Sequence, residues 1–289
     1  FRCNFATIDN LKDKNILDRR AGRNLTTRGA RSLAKAVNEN VKIPFKFEFY
    51  SSIQHRGVLV IRGGFSDNVS DVKVQNSKLF FSKPSDDEDD SKLSSEIVNK
   101  FVRDSFEVLD KHPINLERRG KGLFPANIIL CRGASSEKPR LEKLNEKWMA
   151  LGYMPLEIGI AKVVGMDIYS FKYPRLRSLD VYGNLHFGLK KAVKNAIRMI
   201  KRNKKKYDYF YIHFKETDIP GHDGKPLEKV KMIEFIDQRF FSFLRKYIRD
   251  ERLIVTADHT TSCDKKVHTA DPVPVLSYPA SNKNVFGNG

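Results

Sequence analysis

Cysteine is scarce in this sequence. The 289 residues include 3 cysteines, Cys3, Cys131 and Cys263, and no two of them stand in a CxxC pair. An odd number of cysteines without paired spacing supports neither a disulfide framework nor a zinc knuckle. We therefore expect reduced thiols and a cytoplasmic protein.

Long apolar runs are also missing. No stretch approaches the roughly 18 residues that a membrane-spanning helix needs, and the first residues lack the apolar segment of a signal peptide. A membrane partner is therefore not expected. The chain starts at Phe1 inside strand-like sequence, which predicts that a further segment precedes it.

Acidic side chains are outnumbered by basic ones. The chain has 53 Lys and Arg residues against 35 Asp and Glu residues, a formal net charge of +18. Such a charge favours an anionic partner, which could be nucleic acid, acidic lipid or a phosphorylated small molecule. The run KRNKKKY at 201–207 is the strongest nucleic-acid signal, but it ends a predicted helix, where cations complement the helix dipole. Nucleic acid is therefore the less favoured partner.

Hydrophobic residues are plentiful, at 40% of the chain, so packed cores are expected and the length allows two domains. Residues 1–136 alternate short strand candidates with helical patterns, which predicts an α+β domain. The predicted strands of this part are FRCNFATI, FKFEFY, GVLVIRG and ANIILC, and the predicted helices are RGARSLAKAVNEN and SSEIVNKFVRDSFEVLD.

Residues 137–289 change to longer helices between buried-looking strands. The predicted elements are a helix YGNLHFGLKKAVKNAIRMIKRNKKK, a strand YDYFYIHF, a helix PLEKVKMIEFIDQRFFSFLRKYIRD, and strands RLIVTA and PVPVLSY. This alternation is typical of an α/β layered sheet, whose functional sites lie at the carboxyl ends of the strands.

Two groups of Asp and His residues begin at such strand ends. In HFKETDIPGHDG, Asp218 and His222 follow one predicted strand, and the Pro-Gly pair between them can bend the chain back. In VTADHTTSCDKKVHTADPVPVL, Asp258 and His259 follow another strand, and His268 lies beyond a loop. Adjacent side chains of an extended segment point to opposite sides, so Asp258 and His259 suit two ions better than one.

Carboxylates and imidazoles without thiolates suit Mn²⁺, Zn²⁺ or Mg²⁺, and a two-ion site suits phosphoryl transfer. A single Asp or His at a strand end is more often a cap or a turn residue. Five such residues in two strand-end groups favour metal binding.

These motifs resemble the alkaline phosphatase superfamily and, within it, the archaeal type of cofactor-independent phosphoglycerate mutase. The resemblance extends over nearly the whole chain through FRCNFATID, DRRAGR, HRGVLVIRG with VSD after it, ANIILCRGAS and GIAKVVGMD, which occur in the family's order. It implies an α/β alkaline-phosphatase-like layered core at 137–289 and an inserted α+β lid domain at 1–136.

The resemblance also implies roles for the five Asp and His residues. Asp218, His222 and His268 would hold one divalent ion, and Asp258 and His259 would hold the second. Manganese is the favoured metal, with zinc or magnesium as alternatives. The implied reaction passes a phosphoryl group from 3-phosphoglycerate or 2-phosphoglycerate to a nucleophilic Ser and back to the other hydroxyl. That Ser is expected upstream of residue 1.

In the family, basic side chains of the inserted domain hold the glycerate. Guanidinium groups recognise carboxylate and phosphate bidentately, so the candidates for this role are basic residues of the amino-terminal motifs. They are Arg19, Arg23, His55, Arg56 and Arg132. Ordinary surface charge or strand-end capping is the alternative reading for each.

The chain departs from the family pattern at three places. Ile158 stands where a lysine is expected, DVKV at 71–74 replaces DTDP, and KYPRLRS at 172–178 replaces a small turn. A phosphatase or other phosphoryl-transfer enzyme on the same metal core is therefore one alternative to a mutase. A basic nucleic-acid-binding protein is the other.

Overall fold

The structure is a computed structural model that describes residues 1–137, 140–174, 180–248 and 251–278. The chain divides into two compact units. One contains Phe1–Leu141, and the other contains Glu142–Pro174 and the chain from Tyr182 onward. The predicted domain boundary at 136/137 stays a prediction.

The first unit is an α+β structure. Its strands are β1 (Arg2–Ile8), β2 (Ile16–Asp18), β3 (Phe47–Ser51), β4 (Arg56–Ile61), β5 (Lys73–Gln75), β6 (Lys78–Phe80) and β7 (Ile128–Arg132). Its helices are α1 (Thr27–Asn40), α2 (Asp89–Asp110) and α3 (Pro113–Gly120), with a short 3₁₀ turn at Ala21–Arg23. The four predicted strands and both predicted helices of this part are confirmed.

Strand β1 is the centre of a five-stranded antiparallel sheet. It pairs with β7 along most of its length, with β4 near its start and with β2 at its end, and β4 also pairs with β3. Five of its seven residues are fully buried, which agrees with the apolar run in the sequence. The apolar faces of α1 and α2 pack on this sheet, so the unit has a core of its own.

The second unit is an α/β structure. Its strands are β8 (Trp148–Gly152), β9 (Asp167–Ser170), β10 (Tyr209–Tyr211), β11 (Leu253–Val255), β12 (Thr260–Thr261), β13 (His268–Thr269) and β14 (Leu276–Tyr278). Its helices are α4 (Pro155–Val163), α5 (Val181–Asn203), α6 (Asp218–His222), α7 (Pro226–Ile236) and α8 (Ser242–Tyr247).

The strands β10, β8 and β9 form a parallel sheet in that order, as the strand and helix alternation predicted. Two short antiparallel pairs, β11 with β14 and β12 with β13, complete the strand pairing. Helix α5 buries an apolar face that includes Leu189, Ala192 and Met199 in this unit's core. In the part of the chain that the structure describes, no helix is both long and apolar enough to cross a membrane.

The predicted single helix at 226–250 is interrupted. A π-helical turn at Asp237–Phe241 separates α7 from α8, and residues 249 and 250 lie outside the described residues. Phe240 of this turn and Leu244 of α8 are both buried. Phe240 then meets Phe214 edge-on, with ring centroids 5.2 Å apart.

Candidate metal centre and arginine cluster

Helix α6 and strand β12 bring the two Asp and His groups together. Gly221 of α6 makes this possible, because a Cβ at this position would lie 2.7 Å from the Thr261 carbonyl oxygen. The Thr261 hydroxyl donates a hydrogen bond of 2.8 Å to Asp218 Oδ1 and lies 3.1 Å from His259 Nδ1. One threonine therefore links residues of both sequence motifs.

Asp218, His222 and His268 lie close together. Asp218 Oδ1 is 3.5 Å from His222 Nε2 and 3.7 Å from His268 Nε2, and the two imidazole nitrogens are 3.1 Å apart. Since Asp218 and His222 are the first and last residues of α6, one helical turn places both side chains on the same side.

His259 joins this group from the loop before β12. Its ring stacks on that of His268 with centroids 3.6 Å apart, and Asp218, His259 and His268 each offer a ligand atom within 4.8 Å of the others. Asp258 Oδ2 lies 3.3 Å from His259 Nε2, so these side chains converge. The opposite-facing arrangement expected of an extended segment is not seen, because the chain bends at Asp258. Together, five residues form a candidate site for divalent ions, which we call the metal centre: Asp218, His222, Asp258, His259 and His268.

Hydrogen bonds orient two of the imidazoles for metal binding. His222 Nδ1 is 3.1 Å from the Lys266 carbonyl oxygen, which can only accept, so Nδ1 carries the proton and Nε2 keeps its lone pair. In the same way the Thr261 hydroxyl gives its proton to Asp218 and accepts from His259 Nδ1, which leaves the lone pair on His259 Nε2.

The electrostatics suit a cation. Burial acts to raise the pKa of the Asp218 carboxyl, but the Thr261 hydrogen bond and the charge of His222 outweigh it, so this pKa lies below its usual value. Partial burial and the charge of His259 lower the pKa of His268. An ionised carboxylate beside imidazole nitrogens is the donor set that divalent transition metals require, so these residues fit such an ion.

Three residues beside the metal centre were not identified from the sequence. His213 Nε2 lies 3.9 Å from Asp258 Oδ2, and His213 Nδ1 lies 3.7 Å from Glu157 Oε1. Lys215 Nζ is also 3.9 Å from Asp258 Oδ2. His213 and Lys215 stand in the same sequence motif as Asp218, so their position could have identified them as site residues. Glu157 lies on α4, outside both Asp and His motifs, and nothing in the sequence pointed to it.

A second group of functional candidates lies in the first unit, around a strained turn. Ala21, Gly22 and Arg23 all have positive φ, at 47°, 67° and 56°. Asp18 Oδ1 holds this turn by accepting hydrogen bonds from the backbone N–H groups of Arg20 (2.7 Å) and Gly22 (2.9 Å). Strain maintained by the surrounding structure is frequent at ligand-binding sites.

His55 is buried beside several guanidinium groups. Burial, together with the charges of neighbouring arginines, lowers its pKa to about 3. The arginines that act on it are Arg56, Arg20, Arg23 and Arg132. Three of them were predicted as substrate ligands, and Arg20 was missed although it stands in the same DRRAGR motif. His55 Nδ1 and Arg132 Nε are buried without a hydrogen-bond partner.

Arg19 takes a different position. Its Nη2 donates a hydrogen bond of 2.9 Å to the Val74 carbonyl oxygen, and its charge acts on Arg132. We call Arg19, Arg20, Arg23, His55, Arg56 and Arg132 the arginine cluster. So many like charges around a buried neutral imidazole form a strongly positive site, which an anion would stabilise.

The three departures in sequence have different positions. The Ile158 side chain packs against Gly152, the last residue of β8. A Cβ added to Gly152 would lie 2.9 Å from the Ile158 side chain. Asp71 accepts a hydrogen bond of 2.7 Å from Gly133 N, so the segment 71–74 is tied to the end of β7. Of the segment 172–178, residues 175–178 lie outside the described residues.

Two family models and several curated proteins match this chain. Residues 1–115 match the family model of 2,3-bisphosphoglycerate-independent phosphoglycerate mutase, and residues 175–287 match that of the metalloenzyme superfamily. The chain is 38% identical to the 2,3-bisphosphoglycerate-independent phosphoglycerate mutase of Thermococcus kodakarensis over 96% of its own length and 65% of that protein. It is 37% identical to the Methanopyrus kandleri protein of the same name, over 97% of this chain and 66% of the relative.

A solved structure is also similar. The PH0037 protein of Pyrococcus horikoshii matches with a TM-score of 0.62 and 25% identity, over 96% of this chain and 62% of that one. The part of the second unit that contains the candidate carboxylate and imidazole centre is similar to the metalloenzyme superfamily. Residues 1–115, and in the comparisons with single relatives nearly the whole chain, are similar to the family of 2,3-bisphosphoglycerate-independent phosphoglycerate mutases. The chain spans about two thirds of the length of these relatives, 65% and 66%.

Proposed function

We propose that the protein interconverts 3-phosphoglycerate and 2-phosphoglycerate, a step of glycolysis and gluconeogenesis, by phosphoryl transfer through a phosphoserine intermediate. The observation that carries the proposal is the convergence of Asp218, His222, His259 and His268 on one site in a chain 38% identical to a named mutase. The nucleophilic Ser is proposed to lie upstream of residue 1.

Two divalent ions are proposed as cofactors, with manganese favoured because the donor set combines carboxylate oxygen and imidazole nitrogen. Asp218, His222 and His268 would hold one ion, and Asp258 and His259 the other. Bound there, the ions would neutralise charge on the oxygens of the transferring phosphoryl group. The low cysteine content supports the cytoplasm as the compartment.

The residues of the chain have distinct proposed roles. Lys215, close to Asp258, can neutralise a phosphoryl oxygen that enters the metal centre. The arginine cluster can bind the carboxylate and phosphate of a glycerate, since guanidinium groups pair bidentately with both. We propose that the first unit acts as the substrate-clamping lid that the resemblance implies.

Metal content is the first test of this proposal. We expect purified Asp218→Ala and His259→Ala variants to lose at least one manganese per chain after reconstitution, because an open carboxylate and imidazole site depends on every ligand. Elemental analysis measures the content. His186→Ala is a matched control: His186 Nε2 and Glu228 Oε2 are 3.1 Å apart, and neither residue belongs to the metal centre. Unchanged manganese in both ligand variants would contradict the metal centre.

A further inference from the structure

A buried carboxylate lies in the loop that leads to Asp218. Glu216 is 1% exposed, and both of its oxygens meet tyrosine hydroxyls. Tyr153 Oη is 3.0 Å from Glu216 Oε2, and Tyr173 Oη donates to Glu216 Oε1 at 2.9 Å. The two tyrosine rings stack at a 5.5 Å centroid distance and an 8° angle. We call Glu216, Tyr153 and Tyr173 the tyrosine clamp.

The tyrosine clamp also binds the backbone of this loop. Tyr153 Oη accepts a hydrogen bond of 3.0 Å from Lys215 N and lies 3.0 Å from the His213 carbonyl oxygen. A hydroxyl has one proton, which it can give either to that carbonyl or to Glu216, so the bonds are shared within one network. The loop from His213 to Glu216 is thereby attached to the residue that follows β8.

Helix α5 leaves space for the third member of the clamp. A Cβ on Gly188, inside this helix, would overlap the Tyr173 hydroxyl. Glycine weakens a helix interior, so its presence where Tyr173 approaches indicates that this approach is needed. Tyr173 also belongs to the segment 172–178, where the sequence departs from the family's small turn. A small residue at this place could not reach Glu216.

Only Thr217 separates Glu216 from Asp218, so a shift of Glu216 moves the Asp218 carboxylate. Ligand positions must be held to fractions of an ångström for tight metal binding. We propose that the tyrosine clamp is a positioning device that fixes the loop from His213 to Asp218 and thereby sets the metal affinity of the centre. The proposal rests on the metal centre of the proposed function.

The test compares manganese dissociation constants, measured from the electron paramagnetic resonance signal of free Mn²⁺ in titrations of the whole chain. We expect Tyr173→Phe and Gly188→Ala each to weaken manganese binding about 10-fold, as loss of groups behind metal ligands does. Gly188→Ala displaces Tyr173 without removing a polar group. Glu216→Gln, which can still bond both hydroxyls, is expected to bind manganese better than Glu216→Ala.

Tyr207→Phe is the matched control. Tyr207 Oη donates to Asp167 Oδ2 at 2.6 Å in the same unit, so this variant loses the same kind of bond away from the loop. We expect its manganese affinity to stay within about twofold of the wild type. Activity of the Tyr173→Phe enzyme should also recover at excess Mn²⁺, which a general folding defect would not allow.

The outcomes separate the two proposals. Wild-type affinity in Tyr173→Phe and Gly188→Ala, with binding lost in Asp218→Ala, would overturn the clamp and leave the metal centre intact. Equal loss of affinity in Tyr207→Phe would also overturn the clamp, because a structural defect would then suffice. Equally weak manganese binding by the wild type and Asp218→Ala would overturn the metal centre and the clamp with it.

Discussion

His55 shows how much a single side chain depends on its surroundings. The residue is 8% exposed, and four arginines lie near its imidazole. Burial and these positive charges disfavour protonation, so the imidazole is neutral in the folded protein. Its pKa of about 3 in the folded state compares with about 6.5 in an unfolded chain. Between these values the unfolded state binds one proton more, so stability is lost as the pH falls through this range.

We predict an acid-dependent loss of stability that is specific to His55. Between pH 7.5 and pH 5 the residue should cost about 2 kcal/mol of unfolding free energy, an order-of-magnitude value from the pKa difference. Urea denaturation at several pH values measures it, with His55→Asn as the comparison. Parallel pH dependence in the two proteins would show that His55 titrates normally.

The turn at Ala21–Arg23 illustrates the element scale. Three consecutive residues with positive φ form this turn. Hydrogen bonds with residues before and after it in the sequence hold its conformation. Asp18 binds its backbone N–H groups, and Arg118 Nη2 donates to the Ala21 carbonyl oxygen at 2.9 Å and also to Asn24 Oδ1. A buried arginine therefore supports the conformation that presents Arg23.

We predict that Gly22→Ala destabilises this turn. Its φ of 67° is costly for a residue with a Cβ, which would also meet the Asn24 side chain at 3.2 Å and Phe124 at 3.4 Å. The expected loss is about 1–2 kcal/mol. Binding of 3-phosphoglycerate, measured by calorimetry, should weaken as well because Arg23 is displaced.

Gly120→Ala provides the matched control, since nothing lies within 4 Å of a Cβ at that position. It should leave both stability and 3-phosphoglycerate binding close to the wild type. Equal behaviour of the two variants in both measurements would mean that the turn is not under strain.

At the scale of the whole molecule, a net charge of +18 and the positively charged arginine cluster suit a small, strongly anionic substrate. A mutase must keep the glycerate beside the phosphoenzyme until the phosphoryl group returns, whereas a phosphatase lets water take that group. Ile158 packs against Gly152 with an apolar side chain where the resemblance led us to expect a cation. The cation that the resemblance led us to expect is therefore missing at this position.

We predict that the protein, supplied with Mn²⁺, forms 2-phosphoglycerate from 3-phosphoglycerate and also releases inorganic phosphate. An enolase-coupled assay follows the first product, and a phosphate assay follows the second in parallel. Ile158→Lys should reduce the ratio of released phosphate to isomerised product, since it restores a cation, while Ile160→Lys, at an exposed position of the same helix, is the control. Phosphate release without any 2-phosphoglycerate would favour the phosphatase alternative.

Much of this protein follows from local patterns in the chain. The buried run of β1, the amphipathic repeat of α1 and the strand and helix alternation of the second unit are local in sequence, and the structure has them where they were predicted. The strand-end motifs likewise pointed to Asp218 after β10 and His259 after β11, and the structure brings ligand atoms of these two side chains within 4.8 Å of each other.

Contacts between segments that are distant in sequence could be identified only from the tertiary structure. Glu157 and Tyr173 reach His213 and Glu216 from separate elements, and Gly188 and Gly221 matter only because Tyr173 and Thr261 approach them. The neutral state of His55 arises in the same way, from burial, from the adjacent Arg56 and from arginines on two other segments. Periodicity records which face of an element is buried, whereas the position of a side chain against remote neighbours depends on how the whole chain packs.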